Sequence, residues 1–482
     1  MYEMKAAVGK MKAGRMSDEL GLVAELLQHL PEDIQVLLLK MMNEVLLTGV
    51  VPTEWHRTLF LMLPKSASSR QPKDFRPIAN TRVLYKLFAY LVLGRIEQTL
   101  DSAQPEEQHA FRSDRRIEEH LLTACLVIEK TLAANIPIWL VSLDLSKAFD
   151  RIRWPSLWQA LEAHGVSKHL VWLLQALYHG QEGQVLGDGC TSYVFSILAG
   201  VRQGCVLSPR LFCAALEEAM KSWRVKVETL GYGVDLQDGG RCLLDLRFAD
   251  DVLLFARSAE EASRMLEMLI SELEFYGLFL NESKTVVMTT EAQPPQSLAL
   301  HGGVTVKVLP QDSSHKWLGC KIGSGQSHHT DVEFHLQAAT KAYYANKWIL
   351  NDRSVPVWTR LQFFAAVVSP VACFAGCHRT TYRDDMTKLD VVFRRLARQL
   401  VGPPSGMDWS QPWHETLHFW HERLNGFLEG GNVRCWSEVV LRQYWFFAAY
   451  VVSLPEDRWV QSIALVPSGH QISRQTAEGM AR

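Results

Sequence analysis

The sequence has no excess of charge of either sign: 50 Lys and Arg stand against 52 Asp and Glu, a net of −2 over 482 residues. A uniformly basic surface is thereby excluded, and any face for a polyanion must be built locally. Cysteine is sparse at nine residues, with no C-x-x-C pair and no zinc-knuckle spacing, so the thiols read as scattered, reduced and intracellular rather than as a disulfide framework. His414, His418 and His421 share one helical face near Cys435 without a confirming ligand pair, and the segment from Cys373 to His378 is too compact and apolar for a metal site. The longest uncharged run, 361–377, is interrupted by Ser369-Pro370 and falls short of a membrane span. No signal peptide opens the chain and no internal repeat is evident, so a soluble intracellular protein is expected. What is abundant is apolar mass, 48% of residues, enough for several subdomains with their own cores.

The most informative residues are Phe248-Ala249-Asp250-Asp251-Val252-Leu253. Two adjacent carboxylates stand between runs 243–248 (LLDLRF) and 252–256 (VLLFA), both strand-like in residue type and length. The pattern predicts a hairpin with acid at its tip. Adjacent aspartates repel and weaken a strand, so stability gives little reason for them; a divalent cation would remove the conflict, while an ordinary acidic turn is the plainer alternative. Residues 138–143 (IWLVSL) read as a buried strand that delivers Asp144 at its end. If the two strands are neighbours, Asp144 and Asp250 converge as a two-metal site for phosphoryl or nucleotidyl transfer requires, and carboxylate oxygens suit magnesium. Asp250 is the stronger ligand of its pair and Asp251 the second, because adjacent turn residues seldom point the same way; Asp150 stays outside the metal set.

Segments 144–150 (DLSKAFD), 200–212 (GVRQGCVLSPRLF), 248–251 (FADD), 277–285 (GLFLNESKT) and Trp317-Leu318-Gly319 follow one another in a fixed order. Their order and spacing resemble the palm motifs of reverse transcriptases, above all those of the non-LTR retrotransposon branch. Upstream, 74–78 (DFRPI) with Leu84-Tyr85-Lys86, and 108–112 (QHAFR), resemble the fingers motifs of the same enzymes. The resemblance, over about residues 20–400, implies an α+β right-hand polymerase: fingers, a palm of antiparallel sheet plus helices, and a helical thumb, followed by a mainly helical C-terminal extension. The expected divisions are a helical N-terminal extension at 1–54, fingers and palm at 55–325, thumb at 326–402, and a Trp-rich extension with a disordered tail at 403–482. It also implies an RNA-directed DNA polymerase that extends a primer 3′-hydroxyl with deoxynucleoside triphosphates. Two Mg²⁺ ions, with Mn²⁺ as a substitute, an RNA template, and a DNA primer or RNA–DNA duplex are the implied cofactors and partners.

Site residues carried over by the resemblance are specific. Asp144, Asp250 and Asp251 hold metal; Lys284, expected in a short strand after a helix at 259–276, is the candidate general acid for pyrophosphate. Phe149 resembles the steric gate against a ribose 2′-hydroxyl, though an aromatic here is also ordinary core. Gln203 positions the incoming nucleotide and Gly204 lets backbone approach it, with a plain loop and helix cap as the alternative. Arg76, Lys86 and Arg112 are candidates for the triphosphate or template, and Trp317, Leu318 and Gly319 for the primer grip, where the aromatic could equally be palm core. Ser208-Pro209 reads as a helix start, Ser258 with Glu261 as a capping box, and Gly277 as a helix stop.

Elsewhere, the stretch to Val50 is helical in pattern through Leu26, Leu27, Leu30, Ile34, Leu37, Leu38, Met41, Met42 and Val45. Residues 379–398 form an amphipathic helix with a basic face suited to duplex phosphates or simply to solubility. The Pro/Gln stretch 292–296 reads as a surface loop, 402–406 (GPPSG) as a linker, and the end from Pro467 as disordered. His109-Ala110 and 113–116 (SDRR) depart from the family pattern, which keeps open a domesticated remnant that binds RNA without polymerising. An RNA-dependent RNA polymerase is disfavoured by Phe149 and by Phe248-Ala249. No endonuclease, RNase H segment or zinc knuckle is recognisable, so the chain is expected to be either a fragment of a longer product or dependent on a separate endonuclease as partner.

Overall fold

A computed structural model describes residues 1–66, 69–187, 190–235, 241–311, 313–323, 327–378, 382–403, 410 and 412–464. Residues 404–406 of the expected linker, Trp409, Arg379 and the tail from Pro467 lie outside them. In chain order the principal strands are β1 (Arg57–Pro64), β2 (Phe75–Asn80), β3 (Trp139–Leu143), β4 (Glu182–Gly187), β5 (Asp245–Phe248), β6 (Asp251–Ala256), β7 (Val286–Thr289), β8 (Ser297–Ala299), β9 (Thr305–Val308), β10 (Ser314–Trp317) and β11 (Cys320–Gly323). A small sheet joins β1 to β2 antiparallel and to β4 parallel. A larger sheet runs β8-β9-β7-β3-β6-β5, and β10 with β11 makes a separate hairpin.

The large sheet is covered on both faces, and the alternation of its side chains assigns each residue to one of them. Trp139, Val141 and Leu143 of β3 join Val252, Leu254 and Ala256 of β6 in the core shared with Phe212, Leu216, Leu266 and Leu269, which lie on helices Ser208–Thr229 and Ala259–Phe275. Leu140, Leu253 and Phe255 face the opposite side, with Leu121, Ala124 and Ile128 of helix Ile117–Ala133 and with Trp317, Cys320 and Ile322 of the hairpin. Each such aliphatic side chain contributes about 1.5–3 kcal/mol on burial, so the central strands cannot shift by one residue without exposing an entire face. The sheet is mixed rather than antiparallel throughout. The chain leaves β7, passes through the 292–296 loop, turns at the edge as β8 and returns as β9 parallel to β7.

Local signals survive with two corrections. Ser258 Oγ accepts from Glu261 N at 3.1 Å and Gly277, at φ 79°, ends the helix. The Glu261 carboxylate, however, turns to Gly233 N and Arg257 instead of closing a box. Ser208 caps nothing: the N-cap position falls on Leu207, and Pro209 alone marks the helix start. The N-terminus forms helices Tyr2–Lys10, Ala24–Gln28 and Glu32–Thr48. Leu27, Leu38, Met42 and Val45 are buried there, whereas Leu26, Ile34 and Leu37 are exposed.

Beyond the hairpin lies a bundle built from Ser327–Ala345, Val357–Val367, Arg383–Val401, Trp413–Gly430 and Trp436–Ser453. Trp436 sits at its centre against Phe364 and Phe393, so helix Trp436–Ser453 of the C-terminal extension packs into this bundle. The last described helix, Trp459–Ala464, returns to the large sheet, where Trp459 donates to Glu107 and Arg458 pairs with Glu119, both at 2.9 Å. The stretch Val357–His378 has the length and composition of a membrane span, yet it breaks at Ser369-Pro370 and more than half of it is buried inside the protein.

Behind the acidic hairpin lies an ionic cluster. Arg247 is fully buried, 2.7 Å from both Glu217 and Asp245, while Arg224 reaches Asp245 at 3.3 Å and Glu107 at 3.6 Å. Burial pushes the Glu107 carboxyl up, and Arg224 and Arg241 more than reverse this, holding it at about 2. Removing one partner from such a group strands buried charge. Arg247→Ala is therefore expected to lose about 3–5 kcal/mol in urea unfolding; a loss below about 1 kcal/mol would show that the cluster contributes little.

Candidate active site

The acidic tip is held by hydrogen bonds from a distant segment. The last pair of the β5–β6 hairpin sets Asp251 opposite Phe248, leaving Ala249 and Asp250 as the turn. Ala249 has φ 58°, a left-handed conformation that costs an L-residue about 1–2 kcal/mol. Gln108 offsets that cost: its Oε1 accepts from Ala249 N and from Ala110 N, each at 3.0 Å. It is fully buried. In the sequence Gln108 is only one letter of the 108–112 motif, and its contact with a turn 141 residues away leaves no local signal.

The register of β3 and β6 brings the third carboxylate to this turn. Leu143 lies opposite Val252, so the chain leaving β3 delivers Asp144 next to Asp251. Asn281 Nδ2 donates to Asp144 Oδ2 at 2.8 Å, Lys284 Nζ stands 3.7 Å from the same oxygen, and Asp144 N donates to Thr285 Oγ1 at 3.2 Å. Lys284 occupies a turn and not a strand, because Asn281 O accepts from both Lys284 N and Thr285 N and delays β7 until Val286. Asn281 and Thr285 thus orient Asp144.

The three acids oppose one another. Burial first, then Asp144, raises the Asp250 carboxyl above the usual range, while Lys284 pulls it back. Asp251 is pushed up to about 6 by burial, then by Asp250 and Asp144. By surface area Asp251 is exposed, but it stands amid enough surrounding protein to hinder ionisation. Oxygen donors whose charges suppress each other are the set that a hard divalent cation relieves, since its charge inverts the local potential. The residues fit such an ion.

Around the acids, Phe149 sits on the single-turn helix Ala148–Arg151, half-buried, its ring stacked on Phe212 at 4.5 Å. Gln203 donates to Asp150 Oδ1 at 3.4 Å, and its carbonyl accepts from Ala79 N of β2 at 2.7 Å. Gly204 has φ 105°, and a Cβ there would stand 3.2 Å from Ala79 O. The fold itself therefore asks for glycine at this junction of the two sheets.

A family profile described as reverse transcriptase (RNA-dependent DNA polymerase) matches residues 63–322, more than half of the chain. The chain belongs to the reverse transcriptase family. It is 27% identical over 290 residues to the Retrovirus-related Pol polyprotein from type-2 retrotransposable element R2DM of Drosophila melanogaster, covering 59% of this chain and 27% of that one. It is 23% identical over 415 residues to the RNA-directed DNA polymerase from mobile element jockey of Drosophila funebris, with 84% and 44% covered. A third relative, the Pol polyprotein from type-1 retrotransposable element R2 of Popillia japonica, is 28% identical over 265 residues, with 54% and 35% covered. The chain thus spans about a quarter to less than half of these relatives' length. Apo telomerase from Candida Tropicalis superposes with a TM-score of 0.43 at 13% identity over 90% of this chain and 74% of that one, a likeness too slight to bear on the site.

Several residues that the reverse transcriptase motifs single out are engaged elsewhere. Arg112 is nearly buried and spends its guanidinium on Pro105 O at 2.5 Å, Gln108 O at 3.0 Å and Asp101 at 3.3 Å, so it buttresses the Gln108 segment instead of facing a ligand. Lys86 is half-buried, and burial lowers its pKa against the pull of Asp18. Arg76 is exposed on β2. Trp317 is core, 2% exposed. Leu318 and Gly319 form the left-handed turn of the hairpin, packed under Phe374, which leaves backbone rather than the indole as the reachable part of this motif. His109, unusual for the family, is accommodated: it stacks on His120 at 3.6 Å, burial holds its pKa at about 3, and its N donates to Arg247 O.

The raised acids carry a signed consequence for the reverse transcriptase. A carboxyl whose folded pKa exceeds its unfolded value stabilises the fold at low pH and loses that contribution as pH rises through the folded value. In chelator, Asp251→Asn is expected to melt above the parent at neutral pH, the gap closing between about pH 6 and about pH 4. Equal melting at all pH values would show that Asp251 is not under charge strain.

Proposed function

We propose that this chain is an RNA-directed DNA polymerase that extends a primer 3′-hydroxyl with deoxynucleoside triphosphates on an RNA template. The observation that carries the reading is the convergence of Asp144 with Asp250 and Asp251 through the β3–β6 register, in a chain of the reverse transcriptase family. Two Mg²⁺ ions, or Mn²⁺ in their stead, would be held by these three carboxylates and would supply activation of the attacking hydroxyl and neutralisation of the leaving pyrophosphate. Asn281 and Thr285 orient Asp144 for that task, and Lys284, on the exposed side of Asp144, is our candidate proton donor to pyrophosphate. Phe149, braced by Phe212, restricts the space beside the sugar. Gln203 and Gly204 receive the nucleotide, and Arg76 is the exposed guanidinium best suited to its phosphates.

In this reading residues 1–54 form the N-terminal extension, 55–325 the fingers and palm, 326–402 the thumb, and 403–482 an extension whose described helices brace thumb and palm. Helix Arg383–Val401 turns Arg383 and Arg395 outward, with Lys388 paired to Glu333 and Asp385, and with Asp390 consumed by Ser437, which suits phosphates of an RNA–DNA duplex. Primer, template and deoxynucleotides are the proposed partners. The accommodation of His109 within the fold supports this reading over an inactive RNA-binding remnant.

Primer extension on RNA by the purified chain tests the reading. Asp144→Ala or Asp250→Ala is expected to lower the rate by about 10³-fold or more, the several kcal/mol that metal-held charge supplies, without loss of fold; extension retained by either variant contradicts the site. Phe149→Val is expected to raise ribonucleotide use relative to deoxynucleotides by about 10-fold or more, and unchanged discrimination would remove Phe149 from the sugar pocket.

A further inference from the structure

A second cluster of ligand-type residues lies away from the carboxylates, where the β10–β11 hairpin meets the C-terminal bundle. Cys320 opens β11 directly after the Leu318-Gly319 turn, Asp331 and His335 are one turn apart on helix Ser327–Ala345, and His378 ends the short helix Gly376–His378. The donor atoms of Cys320, Asp331 and His378 all lie within 4.8 Å of one another. His335 Nε2 borders this group of three, 3.4 Å from Asp331 Oδ1 and 3.8 Å from Cys320 Sγ, and His378 Nε2 is 3.9 Å from Asp331 Oδ2. All four side chains are buried, none more than 4% exposed.

The outer contacts of the two imidazoles point the same way. His335 Nδ1 lies 3.1 Å from Val371 O, and His378 Nδ1 is bonded to Ala375 O. A carbonyl can only accept, so each ring donates from Nδ1, and a neutral ring then aims an Nε2 lone pair at the carboxylate and thiol. This carbonyl-anchored arrangement is the usual outer contact of metal-bound histidine. A Cys-His-Asp relay is the wrong description, because a relay uses opposite nitrogens of the base for nucleophile and acid. Here Cys320 and Asp331 share one nitrogen of His335, while the other is spent on backbone.

We propose that Cys320, Asp331, His335 and His378 form a zinc site that clasps the hairpin to the root of the bundle. One sulfur, two nitrogens and one oxygen are a donor set for tetrahedral Zn²⁺, and four protein ligands with no exposed face describe a structural site. Thiolate plus carboxylate neutralises the ion, so the loaded cluster carries no net charge into the interior. The 373–378 segment would contribute only His378, whose partners lie in two elements far upstream and not in its own segment. The ion would fix the Leu318-Gly319 turn relative to helix Ser327–Ala345, independently of what that turn contacts.

Metal analysis of the full chain, expressed with zinc and dialysed, is the test. About one zinc per chain is expected in the parent, falling below about a tenth in Cys320→Ser and His378→Gln. Asp144→Ala/Asp250→Ala should keep its zinc. Cobalt titrated into stripped parent should give a thiolate-to-metal charge-transfer band, which carboxylates alone cannot produce, and the band should vanish in Cys320→Ser. Chelator should lower the parent's melting temperature by several degrees and zinc restore it. A metal-free parent with no cobalt–thiolate band overturns the proposal, as does a band that survives Cys320→Ser or is lost with the aspartates. Because stripped parent answers the cobalt question by itself, failure of a ligand variant to fold does not shelter the idea.

Discussion

Everything at the candidate active site depends on one register, the pairing of Leu143 with Val252 in the middle of the large sheet. That pairing alone brings Asp144 to the turn holding Asp250 and Asp251, although about a hundred residues separate them in the chain. Two cores enforce it from opposite faces. Trp139, Val141 and Leu143 are locked against one helical layer, and Leu140, Leu253 and Phe255 against the other, so a slip of one residue would reverse every side chain. The precision of the acidic corner is a by-product of burying the strands that lead to it.

The same corner is where the fold is least content. Burial and neighbouring acids raise the carboxyls of Asp250 and Asp251, and Ala249 sits in a left-handed turn. Compensation comes from behind: Gln108 satisfies the turn, Arg112 braces the segment that carries Gln108, and Arg247 with Glu217 and Asp245 anchors β5. Local conflict held by an over-determined surrounding is the expected physics of a site built for a ligand absent from the fold's own energetics.

Residue type and periodicity made the central features readable. The hairpin, the strand ending at Asp144, the helix from Ala259 and its stop at Gly277 all follow from local pattern and turn chemistry, which act within a few residues. What stayed hidden were partnerships made only by tertiary approach. Arg112 reads as a phosphate ligand until Pro105 O and Gln108 O are seen to occupy it. Trp317 reads equally as grip or core until its burial against the sheet decides for core. Ser208 has the residue type of a cap, but the chain enters that helix at Leu207. His378 and Cys320 are far apart in sequence and carry no shared spacing, so no pattern links them. The mixed sheet was likewise invisible, since the parallel pairing of β7 and β9 is set by the path of the connecting edge strand and not by either strand's composition.

The most direct test of the central claim is to let a metal report its own position. Iron(II) bound in place of magnesium, with ascorbate and peroxide, cuts nearby backbone, and mass spectrometry locates the cuts. The account predicts cleavage next to Asp144 and in the 249–252 turn, competed away by Mg²⁺ and absent in a chain lacking the Asp250 carboxylate. Cleavage confined to other segments, or cuts at these two that are indifferent to Mg²⁺, would contradict it.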